Sequence, residues 1–189
     1  RDSEERLRLA LSCASQGLYD LDLISGQAIV NDEYPLMLGH EPAGFTETLE
    51  SWTEKLHPED RTPARQALDD YLAGRTSAYR VEVRMRTAAG GWKWILSAGQ
   101  VVARDADGRP RRMIGTHTDI TPLKWAQEGQ ARAMTQLRNL LANSPTVVYS
   151  IHRIGGQMRQ VAVSENVERI LGFTPAEVMQ PEFWPAQVH

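Results

Sequence analysis

Hydrophobic and polar positions alternate most cleanly between residues 79 and 86. Tyr79, Val81, Val83 and Met85 are apolar or aromatic, and Arg80, Glu82, Arg84 and Arg86 between them are charged. A period of two is the signature of a half-buried strand. Ala89-Gly90-Gly91 turns the chain, and the aromatic and branched run over residues 92–104 predicts a second strand. It ends in Asp105-Ala106-Asp107-Gly108, which supplies turn chemistry. Trp92, Trp94, Leu96 and Ala98 share one face of that strand and Lys93, Ile95 and Ser97 the other; periodicity leaves open which face is inward. A third strand is predicted over residues 111–118. It stops at Asp119-Ile120-Thr121-Pro122, where Thr121 is expected to N-cap a helix opened by the proline.

Upstream, Leu7, Ala10, Leu11 and Ala14 mark a short amphipathic helix over residues 4–16. Residues 18–23 and 27–31, joined through Ser25-Gly26, read as a tight hairpin. Residues 32–38 suit a helical turn or two closed by Gly39. Residues 46–56 predict a helix with Leu49, Trp52 and Leu56 on one side, broken by Pro58-Glu59-Asp60. A clearer helix is expected from Thr62-Pro63, with Ala64, Ala67, Leu68, Tyr71 and Leu72 as its buried stripe and Gly74 as its cap. Beyond the three strands, Leu123, Ala126, Gln130, Ala133, Leu137 and Leu140 follow a 3-4-3-4-3 spacing. This is a weak coiled-coil seam inside a linker helix over residues 122–142.

The chain also repeats itself. Leu38-Gly39-His40-Glu41-Pro42-Ala43 recurs as Leu171-Gly172-Phe173-Thr174-Pro175-Ala176, an offset of 133, and the pair Trp52 and His57 recurs as Trp184 and His189, an offset of 132. Tyr19 before the first hairpin has a counterpart in Tyr149 before Ile154-Gly155-Gly156. The expected organisation is one complete domain over residues 1–121, the helical linker, and the first part of a second domain over residues 143–189.

A net charge of -3 and a pI near 6.0 argue against a nucleic-acid surface, so the arginines of the 80–86 strand read as the wet face of a sheet. No run of 18 apolar residues exists to span a membrane. The chain starts at Arg1 with no secretory h-region, which reads as a piece of a longer protein. The single cysteine, Cys13, excludes an internal disulfide and fits a reducing compartment. Asp69, Asp70 and Glu82 are available carboxylates, but no nucleophile, phosphate loop or metal constellation accompanies them, and the five histidines show no ligand spacing.

Several blocks in this order resemble the PAS sensory family, of the PAS_3 kind, with its C-terminal PAC motif. They are Asn31 and Leu38-Gly39 with Pro42, then His57-Pro58-Glu59-Asp60-Arg61, then Gly91-Trp92-Lys93-Trp94-Ile95 with Gly99, then Asp107-Gly108 and Gly115-Thr116-His117-Thr118-Asp119-Ile120-Thr121. The resemblance covers residues 4–121 fully and 140–189 in part. It implies an α+β fold, a five-stranded antiparallel sheet with helices packed on one face, in a tandem of two such domains. It also implies a non-catalytic sensory and dimerising module of a bacterial, cytoplasmic signal-transduction protein, whose parent protein has room for a membrane anchor elsewhere. The effector in cis would be a histidine kinase of a two-component system or a cyclic di-GMP synthase or phosphodiesterase. The expected ligand pocket lies between sheet and helices, walled by Trp52, Leu68, Tyr71, Tyr79, Val81 and Val83, with core packing the alternative role for each. Asp119, Ile120 and Thr121 are the expected relay into the exit helix. The haem-binding members' axial histidine has no counterpart on residues 63–74, and the flavin photoreceptors' cysteine none on residues 31–39. Neither cofactor is therefore expected, and a small ligand, a homodimer, or a purely structural module without ligand remain as readings.

Overall fold

The computed structural model describes residues 15–183 and 187. The expected helix over residues 4–16, Cys13, and the repeat partners Trp184 and His189 lie largely or wholly outside the described residues. The chain divides into two compact units, Arg1–Trp125 and Ala126–His189.

In the first unit, strands β1 (Gly17–Asp22) and β2 (Gln27–Val30) form the hairpin read from Ser25-Gly26. The Asp22 carboxylate accepts the Ile24 and Ser25 amides and holds the turn. Helix α1 (Glu33–Met37) follows and ends at Gly39, whose φ of 79° is the left-handed conformation that glycine adopts without strain. The expected helix over residues 46–56 is shorter and begins later. Glu47–Thr48 is a two-residue strand, β3, paired with β2, and α2 spans Leu49–Lys55. The boundary is set by a capping box: Thr48 is extended, its hydroxyl accepts the Ser51 amide, and the Ser51 hydroxyl accepts the Thr48 amide.

The next helix, α3, runs Pro58–Leu72, so it starts where the sequence suggested a break and carries Pro63 inside it. Proline at the first helical position loses no hydrogen bond, and Glu59 and Asp60 favour the positive end of the helix dipole. Pro58-Glu59-Asp60 is therefore a start signal. Asp60 also reaches the sheet, where its carboxylate accepts the Arg84 backbone amide at 2.8 Å and the Arg84 guanidinium at 2.7 and 2.9 Å, fastening α3 to the strand that carries Arg84. These bonds hold the Asp60 carboxyl below the usual carboxylate range.

Strands β4 (Tyr79–Arg86), β5 (Trp92–Arg104) and β6 (Pro110–Asp119) complete an antiparallel sheet ordered β3-β2-β1-β6-β5-β4. This is the expected five-stranded sheet with two-residue β3 added at its edge. The open question on β5 is answered by Ile95 and Ser97, which are buried, whereas Trp92 is exposed on the opposite face. Two apolar clusters lie between sheet and helices. One gathers Leu38, Trp52, Leu56, Val83, Met85 and Ile95, and the other Tyr19, Leu21, Tyr34, Leu68, Tyr79 and Met113.

Helix α4 spans Thr121–Asn143 and is exposed along most of its length from Pro122 onward. In the second unit, β7 (Tyr149–Ile154) and β8 (Gln157–Val163) form a hairpin, followed by α5 (Val167–Leu171) and α6 (Pro175–Val178). No helix among the described residues is long and apolar enough to cross a membrane.

Candidate functional site

Alternation puts the side chains at positions 19 and 21 of β1, 113, 115 and 117 of β6, and 95, 97 and 99 of β5 on the concave, helix-covered face. Gly99 and Gly115 are directly paired across β5 and β6. A Cβ at either would collide with the Tyr19 hydroxyl, so the two glycines are what lets the Tyr19 ring lie across the sheet. Tyr19 then donates a long hydrogen bond of 3.4 Å to the Ala98 carbonyl.

Beside it lies a cavity of about 40 Å³, lined by Tyr19, Tyr34, Glu47, Trp52, Leu68, Tyr79, Ser97 and His117 among others. At ~10–15 Å³ per water this is room for about three water molecules. The exposed lining is mostly apolar, with Leu21, Leu49 and Met113 also in the wall and a few polar groups set among them. His117 is 4% exposed and its Nε2 meets Ser97 Oγ at 3.1 Å. Its ring stacks on Tyr34 at 4.7 Å and stands near Tyr19 and Trp52. Burial pushes the His117 imidazole down to about 3, so at neutral pH it is uncharged. Burial likewise pushes Tyr79 up to about 12 and raises Tyr19 and Tyr34 well above the usual phenol range. Glu47, 2% exposed, is paired by both carboxylate oxygens with Lys55 Nζ at 2.8 and 3.0 Å and accepts the Ser51 hydroxyl. Among the described residues, nothing accepts the hydrogen of the fully buried Trp52 indole Nε1.

Of the expected walls, Trp52, Leu68 and Tyr79 line this cavity. Val83 does not: it sits in the neighbouring cluster against Ile95. Val81 packs against both clusters, and Tyr71 turns its hydroxyl to accept the Val101 amide at 2.9 Å. Sequence reasoning passed over Glu47, Ser97, Tyr34 and His117 as wall residues. The available signal was phase, since Ser97 and His117 share the parity of the buried Ile95 and Met113.

The exit from the sheet is a second constellation. Lys93 Nζ donates to the Met37 carbonyl at 2.9 Å, at the end of α1, and pairs with Asp119 Oδ2 at 2.8 Å. Asp119 Oδ1 accepts the Thr121 amide at 2.9 Å. Burial pulls the Asp119 carboxyl upward, but the hydrogen bonds from Lys93 and Thr121 outweigh it and hold it below the usual range. Thr121 was expected to cap the helix. Its hydroxyl instead accepts the Trp94 amide of β5 at 2.9 Å, and Thr121 is itself the first residue of α4. Ile120, 8% exposed, donates its amide to the Trp94 carbonyl at 2.9 Å and accepts the Lys124 amide.

The residues present fit neither haem nor a cysteinyl flavin: α3 carries no histidine, α1 no cysteine, and the cavity is water-sized. Among the described residues, no group of three His, Cys, Asp or Glu is placed to hold a metal ion.

A curled antiparallel sheet covered by short helices on one face, with a small, mostly apolar cavity beneath them, is an α+β module. The PAS fold family matches residues 27–117, and a crystal structure of a sensory box histidine kinase/response regulator from Burkholderia thailandensis is 33% identical to this chain. It aligns at a TM-score of 0.62 over 71% of this chain and 99% of that one. The chain belongs to the PAS family. The N-terminal domain of a diguanylate cyclase with PAS/PAC sensor from Marinobacter aquaeolei shares the fold, at 19% identity and a TM-score of 0.51 over 58% of this chain and 98% of that one. A curated relative, the non-motile and phage-resistance protein of Caulobacter vibrioides, is 26% identical over the whole of this chain, which spans 22% of that protein's length. A PAS domain by itself is not a catalyst, and its place in such proteins is that of a sensory input module.

Proposed function

We propose that the first unit is the input module of a bacterial signalling protein, taking a small ligand in the cavity at Trp52 and His117 and passing the change into α4. The observation that carries this is the cavity itself, a void in an otherwise packed core with Trp52, His117, Ser97 and Glu47 among its lining residues.

The output route follows from α1. Tyr34, whose ring stacks on His117, and Met37, whose carbonyl receives Lys93, sit on the same short helix. A ligand that moves Tyr34 therefore bears on Lys93, on its Asp119 partner, and on the first turn of α4. Couplings between allosteric sites run to about 1–3 kcal/mol, the scale of such polar contacts. The effector in cis is a histidine kinase or a cyclic di-GMP synthase or phosphodiesterase, in keeping with the histidine kinase and diguanylate cyclase among the relatives above.

The second unit is read as the beginning of another PAS domain. Asn31 and Leu18 exchange hydrogen bonds of 2.7 and 3.2 Å where the first hairpin meets α1. Ser164 and Val148 exchange the same pair, 2.9 and 2.7 Å, at the corresponding junction. Gly39 and Gly172 close the following helices with φ of 79° and 78°.

A ligand-free dimerisation module is the second reading, favoured by the small cavity and by the exposed seam of α4. The separating experiment has two arms. Native mass spectrometry of the purified chain should show an adduct lost on denaturation. In the full-length parent protein, Asp119→Ala should abolish the signal-dependent change in effector output while the domain stays folded. A clean mass with unchanged output would overturn the input-module reading.

A further inference from the structure

We propose that the cavity takes a small apolar molecule of about two to four heavy atoms and rejects ions and polar compounds of the same size. This rests on the input-module reading above and adds the chemical class of its ligand. Leu21, Leu49, Leu68 and Met113 supply the apolar wall. The polar groups set among them are already spent on one another. His117 meets Ser97 at 3.1 Å, the Tyr79 hydroxyl also bonds to Ser97, and the Tyr34 hydroxyl bonds to Glu47. The Glu47 oxygens are further taken by Lys55, Ser51 and the Thr48 amide, and the Tyr19 hydroxyl goes to the Ala98 carbonyl. The Trp52 indole nitrogen is fully buried, with no surface to offer a ligand.

A ligand that enters must therefore leave its water behind without receiving hydrogen bonds in exchange, a cost that rises with its polarity. An anion would also face the Glu47 carboxylate with the Lys55 ammonium already committed to it, and a cation would find the only carboxylate of the lining paired. Water itself is held poorly there, since it needs about two to four polar partners. An apolar molecule gives up no hydrogen bonds in the transfer and supplies the dispersion contacts that the walls lack across the void. Size sets the limit. The volume of about 40 Å³ falls well short of the roughly 150 Å³ at which an apolar void takes up benzene, so an aromatic ring is too large.

Cyclopropane and formamide are alike in size and differ in polarity, so they serve as probes. The chain has six methionines, whose 13C-labelled methyl signals are separately observable. The Met113 signal is the one missing in Met113→Leu and, should that variant fold poorly, the one with cross-peaks to the Tyr19 ring, since both side chains crowd the same face of Gly99. At pH 7 cyclopropane should shift this signal saturably, at concentrations about tenfold or more below those formamide needs, while the exposed Met134 methyl does not move in step. Saturation by formamide at a comparable or lower concentration would overturn the proposal, as would no saturable shift with cyclopropane, the result expected of a void that holds only water. The output of the full-length parent protein tells this failure from failure of the input-module reading. If cyclopropane is ignored while Asp119→Ala still abolishes the signal-dependent output, the apolar class is removed and the input module stands.

Discussion

His117 is a titratable ring held without charge between Tyr34, Tyr19 and Trp52. Its folded pKa of about 3 lies below the 6.5 of an ordinary imidazole, because burial penalises the charged form. Between those values the unfolded chain binds a proton that the folded chain refuses. Its contribution to stability is therefore complete above about pH 6.5 and shrinks as pH falls. By pH 5 the loss is about 2 kcal/mol. Urea midpoints at pH 7 and pH 5 should show it, and His117→Phe, which keeps the stack on Tyr34, should flatten the dependence in that interval. An equal slope in both proteins would mean that other groups govern it. Gly115 gives a second expectation at this scale. A methyl group there falls on the Ala98 carbonyl and the Tyr19 hydroxyl, so Gly115→Ala should cost about 3 kcal/mol in denaturant unfolding. A loss under about 1 kcal/mol would mean that Tyr19 moves aside freely.

At the scale of elements, alternation over residues 79–86 and the turn chemistry at Ser25-Gly26 made the long strands legible, because each presents one wet and one dry face. Two-residue β3 has no period to read, and its Glu47 looks like surface until the Lys55 pair and the capping box are built around it. Pro58 misleads for a different reason: the same residue that breaks a helix interior suits a helix start, and only the His57 cap and the Asp60–Arg84 clamp decide between them. Within the cavity, aromatic and apolar walls were visible in the pattern, whereas Ser97 and His117 are polar positions whose side of the sheet alternation alone leaves open. The exit shows the same limit. The Asp-Ile-Thr triplet was recognisable, but its tie to α1 through Lys93 joins residues 56 positions apart and leaves no local trace. Lys93→Met removes that tie and leaves Asp119 half-buried without its cation. In the parent protein it should therefore weaken the ligand-dependent output as Asp119→Ala does, with a fall in stability of about 1 kcal/mol. Normal output in Lys93→Met would place the coupling elsewhere.

For the molecule as a whole, α4 is the element least explained by its own chain. Leu123, Leu137 and Leu140 are all more than half exposed, and Gly129 stands in its middle with nothing nearby. Glycine inside a helix costs about 1 kcal/mol relative to alanine, and a helix that buries no face draws little support from packing. A second copy laid along the Leu123–Leu140 seam would supply that face. Sedimentation across a range of concentrations should then show a reversible dimer, and Leu137→Glu should leave a monomer with lower helicity by circular dichroism. A dimer that survives the charge would remove the seam from the assembly.

The pairing of Gly99 with Gly115 reaches beyond this one chain. Tyr19 and these two glycines share a single parcel of space, so their identities are not free to drift separately among descendants of the same ancestor. Where position 19 is small, a residue with a side chain becomes tolerable at 99 or 115. Where position 19 is small and both glycines stay, the parcel passes to the cavity. Members of this lineage should accordingly sort by that triplet into tight and roomy forms, and the volume left beneath the helices would be inherited through three positions.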